Sequence, residues 1–285
     1  MSGNHINVIA FIIITFVYYK AIKPKLNYQI LSDINEYTKY IKNNYVSLAI
    51  YILMIIGTQS IINTNYINST CGGSTSDNIG LAGIMTLWPW TLIFGVLVII
   101  LSIYPGFKSA FSDVIGYFWI SKSANEIMSQ LLIDKEIQPK IDGDTEMNSE
   151  MKKKMQTAAD AIIKIFGNTG IMINQVTPRN FEQFWSTITP LMKNEFKPVN
   201  NVYPEAASGM RDNLFKLVVT RDNVGEAMWY VYTGLLVTSI VKLKISSKGC
   251  KTNTKTMEQN YNNFKEKENA AAEKKQLVQS QVYTM

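Results

Sequence analysis

Groups that commonly carry out catalysis or bind metals are scarce in this sequence. It contains one histidine, His5, and only two cysteines, Cys71 and Cys250. A single histidine near the start of a chain is a poor general base, and no Cys/His cluster has the spacing of a zinc site. No serine lies in a Gly-x-Ser-x-Gly elbow, and no Gly-Lys-Ser/Thr phosphate loop is present. The sequence therefore predicts no enzyme, no bound metal and no cofactor.

Charged residues are also few. They make up 18% of the 285 residues, against about a quarter in an average soluble domain, whereas hydrophobic residues make up 47%. The hydrophobic residues form four blocks, which are residues 6–22, 45–62, 81–104 and 224–241. We interpret the first three as membrane spans, because about 17 to 25 apolar residues cross a bilayer. The fourth contains Glu226, so both a span and a buried or interfacial helix remain open.

Aromatic residues stand at the ends of these blocks. Such residues are typical of the membrane–water interface, where one side of the ring meets lipid and the other meets water. We therefore expect Trp88, Trp90, Tyr104 and Trp229 to anchor the spans, with Pro89 in a first helical turn.

Lysine positions predict the topology, because lysines near span ends tend to stay on the cytoplasmic side. The first loop carries five lysines and is placed inside, whereas residues 63–80 carry none and are placed outside. Residues 105–223 then return inside. A fourth span would place the lysine-rich tail, residues 242–285, outside, which violates the rule. The same arrangement would bring Cys71 and Cys250 to one side as a candidate disulfide, whereas three spans would separate them.

The predicted fold class is all-α: a multi-span helical membrane protein with a small helical domain and a basic, partly disordered tail. Residues 1–104 form the N-terminal membrane region and residues 105–223 the helical polar domain. Within that domain, apolar spacing predicts helices over 121–133 and 150–166, a helix starting at Thr177 and Pro178, and another starting near Pro204. Residues 134–149 are expected to be a polar linker, and residues 256–279 a marginal charged helix.

Two stretches resemble a known family. They are residues 104–117, YPGFKSAFSDVIGY, and residues 221–240, RDNVGEAMWYVYTGLLVTSI, the second followed by Cys250. Together they resemble a membrane protein of the nucleocytoplasmic large DNA viruses, the giant viruses, over about residues 80–250. The resemblance implies a minor capsid or inner-membrane protein that links an internal, endoplasmic reticulum-derived bilayer to the capsid shell. Its partners would be lipid and capsid proteins in a hetero-oligomeric assembly.

Three further features keep alternatives open. Glu226, together with small residues at Gly95, Gly225 and Gly234, suits a small channel or transporter. Asn68 begins an Asn-Ser-Thr glycosylation sequon, which also arises by chance in an asparagine-rich chain; with the candidate disulfide it suits a subunit of a viral entry or fusion complex. The basic tail is a candidate contact for nucleic acid.

Overall fold

The computed structural model describes residues 4–71, 75–132, 169–248, 258 and 261–272. Regular structure in these ranges is helical, which confirms the predicted all-α class; the only extended pairings in them are two isolated bridges, Leu132–Met192 and Val199–Val202. The helices are α1 (Asn4–Val17), α2 (Tyr28–Ser32), α3 (Ile34–Cys71), α4 (Thr75–Pro89), α5 (Val96–Ile103), α6 (Tyr117–Leu131), α7 (Thr169–Asn174), α8 (Phe181–Ile188) and α9 (Glu205–Lys248). Residues 261–272 form an exposed helix.

Four helical segments are long and apolar enough to cross a membrane. They are His5–Ile22, Ile34–Cys71, Asn78–Ile103 and Glu205–Ser247. The fourth includes the block at 224–241. By length and composition, the helix that contains this block is therefore a candidate membrane span like the other three. About 20 residues span the hydrocarbon core, so the second and fourth helices, with 38 and 43 residues, are long enough to extend beyond it.

Two boundaries differ from those expected from the sequence. Of the loop expected at 63–80, the described residues are helical: α3 continues to Cys71 and α4 starts at Thr75, with residues 72–74 outside the described ranges. The boundary expected at 223/224 lies inside α9, which is continuous through it. The hydropathy pattern marks where a helix meets lipid and not where the helix ends, and polar residues with good helix propensity extend both helices. The expected helix at 150–166 and linker at 134–149 lie outside the described residues.

Contacts divide the chain into two compact units. Unit 1 comprises Met1–Val17, Ile50–Val96 and Thr233–Met285, and unit 2 comprises Tyr18–Ala49 and Leu97–Tyr232. Unit 1 has an aromatic core in which the Trp90 ring lies 5.3 Å from both Phe11 and Phe94, centroid to centroid. Trp90 is only 1% exposed, so the structure moves it from the expected membrane interface into this core, whereas Trp88 is 56% exposed.

A proline inside a helix accounts for the local backbone around Trp90. Pro89 is the last residue of α4 and is followed by a π-helical turn, Trp90–Gly95, before α5 begins. Proline lacks an N–H and its ring crowds the preceding turn, so the wider turn accommodates it without ending the helix. Pro89 therefore lies within a continuous helical segment and not in the first turn expected from the sequence.

Hydrogen bonds between side chains join three helices within unit 1. Asn63 accepts from Asn7 at 3.0 Å and donates to Thr86 at 2.8 Å, and Gln59 donates to the carbonyl oxygen of Asn7 at 2.8 Å. All four residues are buried. Polar contacts of this kind contribute about 0.6 kcal/mol each between membrane helices. They also give Asn63, which the sequence placed at the start of a loop, buried partners within α3's packing against α1 and α4.

Unit 2 has a hydrophobic core formed by α6, α7, α8 and α9. The apolar positions expected in these helices are buried there, among them Phe181, Trp185, Ile188, Leu214 and Val218. One start differs: α8 begins at Phe181 and is preceded by a turn in which Thr177 and Asn180 hydrogen-bond to each other. The sequence had suggested that Thr177 caps this helix. In the structure Thr177 instead closes the turn that precedes the helix.

Candidate functional site

Four charged side chains of unit 2 form a buried cluster around Glu226. One carboxylate oxygen of Glu226 accepts from Lys23 Nζ at 2.5 Å and from the Tyr19 hydroxyl at 3.0 Å. The other lies 2.7 Å from Lys108 Nζ, which is also 2.9 Å from an oxygen of Asp222. The side chains of the four ions are at most 16% exposed. Two lysines and two carboxylates therefore neutralise each other in a place largely shielded from water.

Local backbone geometry brings these residues together. Asp222 and Glu226 are four residues apart on α9, so they lie on one helix face. Lys23 follows a π-helical turn, Tyr18–Ile22, and its N–H donates to the Tyr18 carbonyl oxygen at 2.8 Å. Lys108 ends the 3-10 turn Pro105–Lys108 that follows α5. The cluster thus connects three segments that are far apart in the sequence.

The cluster is electrostatically balanced. Burial disfavours the charged form of Lys108, but the carboxylates of Glu226 and Asp222 outweigh that effect and raise the pKa of Lys108 above its ordinary value. Lys108 therefore stays positively charged at neutral pH. A buried pair of this kind adds little net stability compared with apolar residues, but the loss of one partner leaves a buried charge unpaired.

Arg221 forms a second polar connection five residues before Glu226 on α9. It is 2% exposed, and its guanidinium donates to the carbonyl oxygens of Ile173 and Val176 and to the side chain of Asn174. The carboxylate of Asp113 lies 3.8 Å away. The planar guanidinium reaches two carbonyls at once, so this one side chain attaches the end of α7 to α9.

We predict that Arg221→Lys lowers the free energy of unfolding by about 1.5 kcal/mol, because an ammonium group reaches only one of the two carbonyls and leaves the other without a donor. Unfolding in mixed detergent micelles, followed by tryptophan fluorescence, measures the loss. Arg179→Lys is the matched control, since Arg179 is exposed and its contact with Ser102 is long, at 3.4 Å. Equal stability of the Arg221→Lys and control variants would contradict the prediction.

The segment from Pro105 to Gly116 packs closely against α9. The indole N–H of Trp229 donates to the Phe107 carbonyl oxygen at 2.8 Å, and the Phe111 ring lies 5.1 Å from Trp229. A Cβ placed on Gly225 would lie 2.7 Å from Ser112 Cβ, and one on Gly116 would lie 2.6 Å from the Arg221 carbonyl oxygen. These glycines allow the two backbones to approach. The stretches 104–117 and 221–240 therefore meet in one interface.

The other candidate residues have varied surroundings. Tyr104 is 60% exposed, as an interface anchor should be, whereas the N–H of Trp229 is used within unit 2. Asn68 lies in α3, and its amide bonds to Thr75 at 3.1 Å and to Asn78 at 2.7 Å, so glycosylation there stays a prediction. Cys71 is disulfide-bonded. Cys250 lies outside the described residues, and its pairing with Cys71 stays a prediction.

Sequence reasoning found Glu226 but not its partners. The partners are Lys23 and Lys108, which lie far from Glu226 in the sequence. The spacing of Asp222 and Glu226 was the available signal, because it predicts a two-carboxylate helix face that needs cations. In the part of the chain that the structure describes, no group of three or more His, Cys, Asp or Glu side chains is arranged to hold a metal ion.

Comparison of the chain with protein-family models, with curated proteins and with solved structures finds no match.

Proposed function

We propose that this chain is a structural membrane protein of a virion, a minor capsid or inner-membrane component that holds an internal bilayer against the capsid shell. The observation that carries the proposal is the cluster of Lys23, Lys108, Asp222 and Glu226. The four charged side chains lie where polar segments meet apolar segments, and their ion pairs join the segments that carry Lys23 and Lys108 to α9. A rigid membrane anchor needs such connections.

The same cluster argues against a channel or transporter. A conduction path at this depth would use an ionisable group that is open to water or free to change partners. Glu226 instead has a lysine on each carboxylate oxygen, and Lys108 is shared with Asp222. An ion passing this point would first have to break two buried ion pairs.

Support for the virion setting comes from the resemblance of residues 104–117 and 221–240 to the viral family. These two stretches pack against each other through Phe107, Phe111, Ser112, Gly225 and Trp229. The basic tail adds a surface for acidic partners, such as lipid headgroups or packaged nucleic acid.

Purified particles test the proposal. We expect the chain to be present in amounts comparable with other minor shell proteins, to resist extraction by high salt or alkaline carbonate, and to be released by detergent. Chemical cross-linking of intact particles should connect it to capsid proteins. Its absence from purified particles, or its release by salt alone, would contradict the proposal. Ion flux through liposomes that is abolished in Glu226→Ala would favour the channel instead.

One observation favours a subunit of an entry complex as the second candidate. Cys71 is disulfide-bonded, and disulfides persist in oxidising compartments or on particle surfaces. An entry subunit should be cut from intact particles by external protease and lose function on mild reduction. An internal membrane component should be protected until the shell is opened.

A further inference from the structure

The stretch from Tyr104 to Trp119 in unit 2 has two different sides. One side packs against α9, with Lys108 at Glu226 and Ser112 against Gly225. The other side is exposed and is made of large apolar residues that recur at the spacings of one helix face. We call it the exposed apolar face, and its members are Tyr104, Phe107, Val114, Ile115, Phe118 and Trp119.

The exposed apolar face carries no charge. Between Tyr104 and Trp119, a stretch that the structure describes throughout, none of the exposed residues is charged. The two charged residues of this stretch are used elsewhere, because Lys108 pairs with the carboxylates on α9 and Asp113 lies 3.8 Å from the Arg221 guanidinium. Trp119 is 75% exposed. An exposed apolar surface without charges, of this extent, is typical of a contact with an apolar partner.

The exposed surface changes its character directly after Trp119. In the rest of α6 the exposed residues are all polar or charged, and they are Lys122, Ser123, Glu126, Ser129 and Gln130. The buried side of α6 does not change in this way, since Ile120, Ala124 and Met128 all belong to the hydrophobic core of unit 2. The change therefore marks a boundary between two environments along a single helix.

Two observations identify the apolar environment as lipid. The exposed apolar face begins directly after Ile103, an exposed residue that ends the candidate span Asn78–Ile103, so it continues the surface that this span presents to lipid. Trp229, near the start of the apolar block 224–241, donates to the Phe107 carbonyl oxygen, so Phe107 lies at the level where α9 becomes apolar. Aromatic rings followed by a lysine are also typical of the membrane interface.

We propose that the stretch from Tyr104 to Trp119 lies in the interfacial layer of the bilayer, with Phe118 and Trp119 among the lipid headgroups and the upper acyl chains. Helix α6 leaves the lipid at Lys122. The partner of the exposed apolar face is thus the membrane, and the contact holds the helical core of unit 2 at the bilayer surface. This inference depends on the membrane part of the proposed function and adds a lipid contact that does not span the bilayer.

Fluorescence quenching in proteoliposomes tests the position of Trp119. The full-length chain and a Trp119→Phe variant are reconstituted in phosphatidylcholine that is brominated in the upper part of its acyl chains, and their difference gives the emission of Trp119. We expect the brominated lipid to quench at least about half of this emission, whereas iodide on both sides of the bilayer should quench little of it. Trp185→Phe is the control, since Trp185 is 2% exposed and its emission should respond to neither quencher.

A charged substitution tests the same contact through a neighbouring residue. Phe118→Asp should lower the quenching of Trp119 by the brominated lipid at least about twofold and raise its quenching by iodide, because a carboxylate is driven out of the lipid. Phe118 is 82% exposed, so the fold should be retained, and thermal unfolding in detergent checks this. Ser123→Asp places the same charge on the exposed surface of α6 beyond the boundary, and it should change neither quenching.

Two results would overturn the proposal. Strong quenching of Trp119 by iodide in the unaltered chain would place this residue in water. Protection of Trp119 from both quenchers would mean that protein, such as a second copy of the chain, covers it. Either result would leave the extraction and particle tests of the proposed function unaffected, whereas a chain that does not float with the liposomes would overturn both proposals.

Discussion

Replacement of Glu226 by leucine should lower the free energy of unfolding by about 3–5 kcal/mol, because it leaves two buried lysines without their shared carboxylate. Lys23 loses its ion-pair partner, and Lys108 keeps only Asp222. Leucine has a volume close to that of glutamate, so the packing around α9 changes little. Titration of a denaturing detergent into mixed micelles, followed by tryptophan fluorescence, measures the loss.

A second variant separates charge imbalance from packing. In Lys23→Met with Glu226→Leu, one cation and one anion are removed together, and the pair between Lys108 and Asp222 remains at 2.9 Å. We expect this double variant to regain most of the lost stability. Glu36→Leu is the surface control, since its contact with Lys39 is exposed and 3.9 Å long, and such pairs contribute at most about 1 kcal/mol. A Glu226→Leu variant as stable as the control would show that the cluster is not formed.

Substitution of Gly225 by valine should cost about 3 kcal/mol, because no space exists for a side chain at that position. A Cβ at Gly225 would lie 2.7 Å from Ser112 Cβ and 2.9 Å from the Ser112 backbone nitrogen. Backbone atoms cannot rotate away as the end of a flexible side chain can. The segment Pro105–Gly116 would have to move off α9, which would also break the bond from Trp229 to the Phe107 carbonyl oxygen.

Gly209 provides the matched control on the same helix. It is exposed, and a Cβ there meets nothing within 4 Å. Because glycine and valine differ by only a few tenths of a kcal/mol in helix propensity, Gly209→Val should leave the stability nearly unchanged. Thermal unfolding in detergent compares the two variants directly. A similar melting temperature for both would mean that the interface between residues 105–116 and α9 does not exist in solution.

Much of the fold could be predicted from composition and from the periodicity of apolar residues. The four apolar blocks are all in helices long and apolar enough to cross a membrane, because hydrophobic runs of that length have few other stable forms. The apolar stripes of α8 and α9 also correctly predicted the core around Phe181 and Leu214. These are local signals, in which each residue is judged by its near neighbours in the sequence.

The ion cluster around Glu226 could not be predicted in the same way, because its contacts join residues that are far apart in the sequence. Lys23 and Glu226 are 203 positions apart, and no pattern of spacing connects them. Trp88 and Trp90 show that even neighbouring residues of one type can have surroundings that the sequence pattern does not predict. Both belong to an aromatic pair beside a proline, yet one is exposed and the other buried, since the π-helical turn at Trp90–Gly95 decides which ring faces the core. Composition alone does not reveal that turn.

The unbroken course of α9 has a mechanical consequence. Residues 205–223, which precede the apolar block, form a helical segment of about 28 Å at 1.5 Å per residue. In the proposed arrangement this segment acts as a spacer that sets the gap between the bilayer surface and whatever is attached near Glu205. Lengthening it by one helical turn would widen that gap by about 5 Å, so the internal membrane would curve to a slightly smaller radius beneath an unchanged shell.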